Sequence, residues 1–199
     1  MKIRAPLPMA RGMTALYAGL GAVALVAAWL LTSYRGLASS ARSAHDAWGG
    51  LEAQLRRRHD LVPALVAAVR EHAPGESAAL ERLVAARVEA QTASTPFQRA
   101  GAERRLVAAL GAVAALAQRH PALGGTGPFV TLQAQLADLE DEIRDARRTY
   151  NAEVRVYLAR RKDFPGNLLR GFGDFPDRPY FEADPPPERL GLRLTTAGA

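Results

Sequence analysis

The chain has no cysteine. That excludes disulfides, thiolate metal ligands, a thiol nucleophile and a lipid-modified cysteine. It leaves the compartment open. Only two residues are lysine, Lys2 and Lys162, and there are only four histidines. No glutamate stands three residues before His45, His59, His72 or His120, so the Glu-x-x-His pattern of di-metal helical bundles is missing. The H-E-x-x-H zinc motif and the G-x-S-x-G nucleophile elbow are also missing. The stretch "GGTGP" (124–128) lacks the lysine and following helix pattern of a phosphate loop. Few runs alternate as strands do. The sequence therefore offers no catalytic, cofactor-binding or metal-binding residues, and the expectation is a protein without a cofactor that is not an enzyme.

What is present is alanine and leucine, both strong helix formers, within 199 residues that are 48% hydrophobic and 7% aromatic. The fold class expected from this is all-α. The net charge of +6 hints at nucleic acid. Its location weakens the hint: Lys2, Arg4, Arg11 and Arg35 stand in residues 1–35 without any acid, leaving 22 basic against 20 acidic side chains in the rest. A nucleic-acid module concentrates basic charge on one face and adds base readers or stacking aromatics. Neither is visible, so no nucleic-acid partner is expected.

Residues 12–34, "GMTALYAGLGAVALVAAWLLTSY", carry no charge. A run of ~20 apolar residues spans the bilayer's ~30 Å hydrocarbon core. The run is longer than the ~7–15 residues of a signal-peptide core and ends in "WLLTSYRG", a poor cleavage site. A single-pass transmembrane helix is expected, with Tyr17, Trp29 and Tyr34 near the interfaces. Basic residues before the span outnumber those just after it by a charge or two. That favours a cytoplasmic N-terminus at the plasma (inner) membrane and an extracytoplasmic remainder.

Beyond a short polar linker at 35–43, four helices are expected. The first, about 42–73, carries a seam of Trp48, Leu51, Leu55, Val62, Leu65 and Val69, with Arg58 intruding and Pro63 producing a kink. The second, about 76–93, has Leu80, Leu83, Val84 and Val88 as its stripe, with Arg87 in phase. Ser94 or Thr95 caps the third, about 96–119, with Pro96 at its first position and Glu103 in the seam. The fourth repeats in heptads through Phe129, Leu132, Leu136, Leu139, Ile143, Ala146 and Tyr150, extended by Val154, Tyr157 and Arg161. Short connections favour an up-down-up-down four-helix bundle. Heptads serve contacts between chains equally well, so a homo-oligomer stays open.

Pairing the helix ends predicts two charge contacts, Asp60 with Arg147 and Arg87 with Glu103. Such pairs fix helix register by penalising a slip. Arg56 and Arg57 read as solvated side chains. Lipid headgroups are too distant to meet Arg57, which follows the span by more than 20 residues.

Three ordered blocks carry a resemblance: "DAWGGLEAQLRRRHDLVPALV" (46–66), "LEDEIRDARRTYNAEVRVY" (139–157), and "FPGNLL" (164–169) with "RPYFE" (178–182). Together they resemble the LemA family of bacterial membrane proteins. The resemblance implies an N-terminal anchor, a long antiparallel bundle and no established activity, cofactor or substrate. It adds Glu140, Tyr150, Asn151, Phe164 and Pro165 to the structural candidates. The chain departs from the family at Tyr157-Leu158, where a second Tyr-Asn is frequent, at Leu139 (usually Thr) and at Ala64 (usually Asn). A polar site built on those residues is thinned here. The expected organisation is a basic segment (1–11), the span (12–34), the linker (35–43), a bundle with packed aromatic tail (44–181) and a disordered tail (182–199). The expected role is a membrane-anchored scaffold for other proteins. The alternative is an enzyme, or an enzyme's accessory subunit, with a site near Pro63 and the 164–181 tail.

Overall fold

The computed structural model describes residues 8–182, with side chains from Leu16 onward. Residues 183–199 of the expected disordered tail, and 1–7 of the basic segment, lie outside the described residues. No strand occurs among the described residues. The helices are α1 (Pro8–His72), α2 (Ser77–Thr92), α3 (Pro96–Ala114), α4 (Leu116–Arg119), α5 (Pro121–Gly124), α6 (Gly127–Lys162) and α7 (Gly166–Leu169), with 3-10 turns at Pro74–Glu76 and Arg170–Phe172. The chain divides into two compact units. One holds Met1–Ser43 with Arg155–Asp177, the other Ala44–Val154 with Arg178–Ala199.

The second unit is the four-helix bundle. Its seam residues Leu51, Leu55, Val62, Leu65 and Val69 of α1 are buried. So are Leu106, Leu110 and Val113 of α3 and Phe129, Leu136, Leu139, Ile143 and Tyr150 of α6. Thr95 rather than Ser94 caps α3. Its hydroxyl accepts from the Gln98 amide at 3.2 Å, and Pro96 occupies the first turn. The third helix is shorter than expected: it ends at Ala114, and α4 and α5 carry the chain to α6. His120, between α4 and α5, donates from Nε2 to Glu76 at 3.0 Å and ties this end of the bundle to the start of α2.

The stripe expected on α2 is rotated. Leu80 and Leu83 are buried, but their companions are Ala79, Ala86 and Ala90, while Val84 and Val88 are 41% and 49% exposed. Alanine lets α2 approach its neighbours closely and turns Arg87 inward. α1 runs through Pro63 without interruption. The proline is exposed.

In the first unit, residues 35–43 are helical instead of forming a linker. The stretch has no proline, and its polar groups bond back along the helix. Ser40 Oγ donates to the Leu37 carbonyl at 2.9 Å, and Arg42 Nε donates to that of Ala38 at 3.3 Å. Leu37 and Ser40 are buried. Before them, the side chains from Leu16 to Leu31 are exposed, including Leu20, Val23, Leu25 and Val26. The most apolar window of this helix has a mean hydropathy of 1.8, none of it buried, so the helix is long and apolar enough to cross a membrane.

Candidate functional site

Arg58 occupies a seam position of α1 where the heptad pattern calls for a leucine, and it is 2% exposed. A guanidinium at that depth must be surrounded by acceptors, because an unpaired buried charge is costly. Two carboxylates meet it. One amino group donates to Glu140 Oε1 of α6 at 2.5 Å, the other to Glu103 Oε2 of α3 at 2.5 Å. Glu103 is fully buried, and its second oxygen lies 2.8 Å from His59 Nε2. An ionised carboxylate only accepts, so His59 donates from Nε2. Burial by itself would raise the Glu103 pKa; the His59 hydrogen bond and the Arg58 charge outweigh it and hold the carboxyl below its ordinary value. For Arg58, burial works against the charged form, and the negative charges of Glu140 and Glu103 reverse the effect and raise its pKa.

α2 joins the same cluster through the backbone. Pro63 has no N–H, so the carbonyl four residues earlier, that of His59, loses its helical partner. Arg87 Nε of α2 donates to that carbonyl at 2.7 Å. One layer thus links all four helices, with Arg58 and His59 from α1, Arg87 from α2, Glu103 from α3 and Glu140 from α6.

Both expected charge pairs are corrected by this geometry. Arg57 donates to Glu142 at 2.6 Å, Arg58 to Glu140, and Trp48 meets Tyr150 with ring centroids 5.2 Å apart. Asp60 therefore stands level with the region of residue 138, not Arg147, and is exposed. α1 begins long before residue 44, so the assumed matching of its start with the end of α6 placed the register more than two turns away. On α2 and α3, Arg105 donates to Glu89 at 2.7 Å, which sets Arg87 one turn from Glu103. Arg87 takes the His59 carbonyl instead.

Tyr150 and Asn151 are tail-holding residues. The Tyr150 hydroxyl donates to the Pro179 carbonyl at 2.9 Å, and burial pushes its pKa up. The Asn151 amide brackets Phe181, donating to its carbonyl at 3.2 Å and accepting from its N–H at 2.9 Å. The Phe181 and Tyr150 rings both pack on Trp48, and Arg99 stacks over Trp48 while donating to Glu52 at 2.6 Å. Phe164 and Pro165 belong to the other unit; Pro165 is buried and Phe164 exposed. His59 is the member of the layer that the sequence reading set aside. Pro63 signalled only the orphaned carbonyl at position 59, not the bond of the His59 ring to Glu103.

The layer's carboxylates are engaged by its own members, while the Arg58 Nε–H is buried without a hydrogen-bond partner among the described residues. Arg58 is the resident cation between the two carboxylates. Among the described residues, no group of three or more His, Asp and Glu side chains could hold a metal. Beside Glu140, a cavity of about 30 Å³ is lined chiefly by Leu65, Val107, Leu110 and Leu136. It has room for a water molecule or two, far below the ~300 Å³ at which small-molecule pockets begin. Between α2 and α3 an open groove of about 430 Å³ is lined mostly by alanine, with the Glu89–Arg105 pair at its rim.

The family model for the LemA family matches residues 47–190. The chain belongs to the LemA family. Comparison with curated proteins finds no match. In this LemA-family chain, the matched region holds the whole charged layer and the residues that fasten the tail.

Three outcomes follow from the layer. Arg58→Met leaves the buried Glu103 and the part-buried Glu140 without their shared cation and lowers unfolding free energy by about 3–5 kcal/mol. Combining it with Glu103→Leu and Glu140→Leu returns most of that loss, as read by denaturant unfolding of the full chain in detergent. Arg87→Ala orphans the His59 carbonyl at a cost of about 1–3 kcal/mol, and Pro63→Ala, which restores an N–H at position 63, shrinks that cost in a double-mutant cycle. Because the folded pKa of Glu103 is depressed below 4.5, the stability it supplies is present above pH 4.5 and is lost as pH falls through the folded pKa. Glu103→Gln flattens this acid limb, leaving the contributions of Glu52, Glu76 and Glu89, whose pKa values are also lowered.

Proposed function

We propose that this LemA-family protein is a single-pass membrane-anchored scaffold. Residues 12–34 cross the plasma (inner) membrane, and the bundle stands on the extracytoplasmic side as a rigid surface for partner proteins. The observation that carries the reading is the apolar stretch of α1, none of which is buried against the protein. A soluble core helix hides such a face, whereas a span gives it to lipid. The excess of Lys2, Arg4 and Arg11 over Arg35 and Arg42 supports the orientation.

The charged layer supports a binding role over a catalytic one. Both oxygens of Glu103 are engaged, and His59 spends its Nε2 proton on Glu103. The layer also resists sliding. A one-turn slip of α6 brings Leu136 or Arg144 level with Arg58, and a slip of α3 brings Arg99 or Val107. None of these is acidic. The bundle therefore has one favourable register, which suits it to display a fixed outer surface.

The test is affinity capture of the intact chain, span included, in mild detergent, followed by mass spectrometry. The expected result is a reproducible set of co-purifying proteins that is absent with the Arg58→Met variant. Recovery of nothing beyond background removes the scaffold reading. A C-terminal reporter that works only outside the cytoplasm is expected to be active, and its silence reverses the orientation.

A further inference from the structure

The unit that holds the apolar helix ends in a segment whose largest side chains face outward. Phe164, Leu168 and Phe172 recur every fourth residue and are 67%, 59% and 80% exposed. Each forgoes about 1.5–3 kcal/mol of burial if its surroundings are water. The segment is not free to fold inward. A Cβ on Gly166 would lie 1.9 Å from the Arg160 carbonyl oxygen, so only glycine fits this approach to the end of α6. Asn167 donates its N–H to the Asp163 carbonyl at 3.0 Å, and Leu168 and Leu169 donate theirs to that of Pro165, both at 3.0 Å. On either side, Arg160 donates to the Gly36 carbonyl at 2.7 Å and Arg161 to that of Phe175 at 2.9 Å. Tyr34 packs edge-on against Phe175.

We propose that residues 164–172 lie in the headgroup–acyl boundary of the membrane that α1 enters, as a second, peripheral anchor. The inference rests on the membrane reading given above. Its own support is the position of the patch. The Phe164 ring lies 5.5 Å from that of Trp29, so the outward-facing apolar side chains continue those of Trp29, Leu30 and Leu31. Tryptophan and phenylalanine are residues of that boundary. The exposed charges of the neighbourhood are Arg35, Arg160, Lys162 and Arg170 against Asp163, Asp174 and Asp177, the last paired with Arg161, which leaves a basic excess that matches anionic headgroups. With one helix and one lateral anchor, the unit is fixed in rotation about the helix axis as well as in depth.

The chain's lack of cysteine makes the test direct, because an introduced cysteine is the single labelling site. The full chain is reconstituted in phosphatidylethanolamine–phosphatidylglycerol vesicles with a fluorophore at Leu31→Cys, Gly171→Cys or Ser77→Cys. An added Cβ at Gly171 meets no atom within 4 Å, and Ser77 is an exposed bundle position. Lipids carrying a quencher near the headgroup are expected to quench the Gly171 probe several-fold more than the Ser77 probe. A chain that also carries Phe164→Ser, Leu168→Ser and Phe172→Ser is expected to lose this quenching while the Leu31 probe keeps its own. A quenched Leu31 probe beside a Gly171 probe no more quenched than that at Ser77 overturns the second anchor and leaves the span standing. A Gly171 probe shielded from aqueous iodide but untouched by lipid quencher overturns it in favour of a protein cover. Quenching that survives the three serine substitutions overturns the assignment of these side chains. An unquenched Leu31 probe overturns the span and the second anchor together.

Discussion

The bundle turns on one guanidinium shared by two carboxylates. Arg58 stands where an aliphatic side chain would give more stability per atom, and its charge is tolerable only because Glu103 and Glu140 arrive from two other helices. Buried ion pairs of this kind seldom exceed a hydrophobic replacement in stability. What they supply is discrimination between registers. An aliphatic seam accepts a slip of one turn with little penalty, whereas this layer has a counter-charge at one level only. The apolar cluster around Val62, Leu83, Leu106 and Leu136 provides the driving force to collapse, and the layer beside it selects which collapsed arrangement persists.

Much of the architecture was legible in the sequence because it depends on one-dimensional repeats. The heptad of α6 is buried from Phe129 through Tyr157, with Leu132 and Ala146 partly so, and the seam of α1 is buried wherever the pattern placed an aliphatic residue, while its aromatic member, Trp48, is half-buried beneath Tyr150 and Phe181. The partners within the charged layer were not legible. Which acid meets Arg58 depends on relative helix position, a pairwise quantity. Setting residue 44 of α1 against the end of α6 displaced the pairing by more than two turns on α6. The α2 stripe was misread for a different reason: alanine can be buried without contributing to a pattern scored on larger residues, so Val84 and Val88 drew attention that belonged to Ala86 and Ala90.

The tail illustrates how a segment without repeats acquires a fixed course. Prolines at 176 and 179 deprive it of donors, and its extended carbonyls cannot pair among themselves. Long polar side chains on α6 provide for them. In the first unit, Tyr157 donates to the Pro176 carbonyl at 2.6 Å and Arg161 to that of Phe175. In the second, Tyr150 and Asn151 do the same for Pro179 and Phe181. The tyrosines of the heptad therefore have two roles, an apolar ring toward the seam and a hydroxyl toward the tail.

Pro63 has a consequence for cooperativity. A helix normally completes its own ladder of hydrogen bonds, so its turns can form, fray and reform independently of the surroundings. Here one rung of α1 is supplied by a side chain of α2. Neither helix is fully satisfied without the other, and opening of the middle turns of α1 carries the cost of withdrawing α2. The two helices should therefore exchange their protected amides together, as a single unfolding unit, instead of opening one by one.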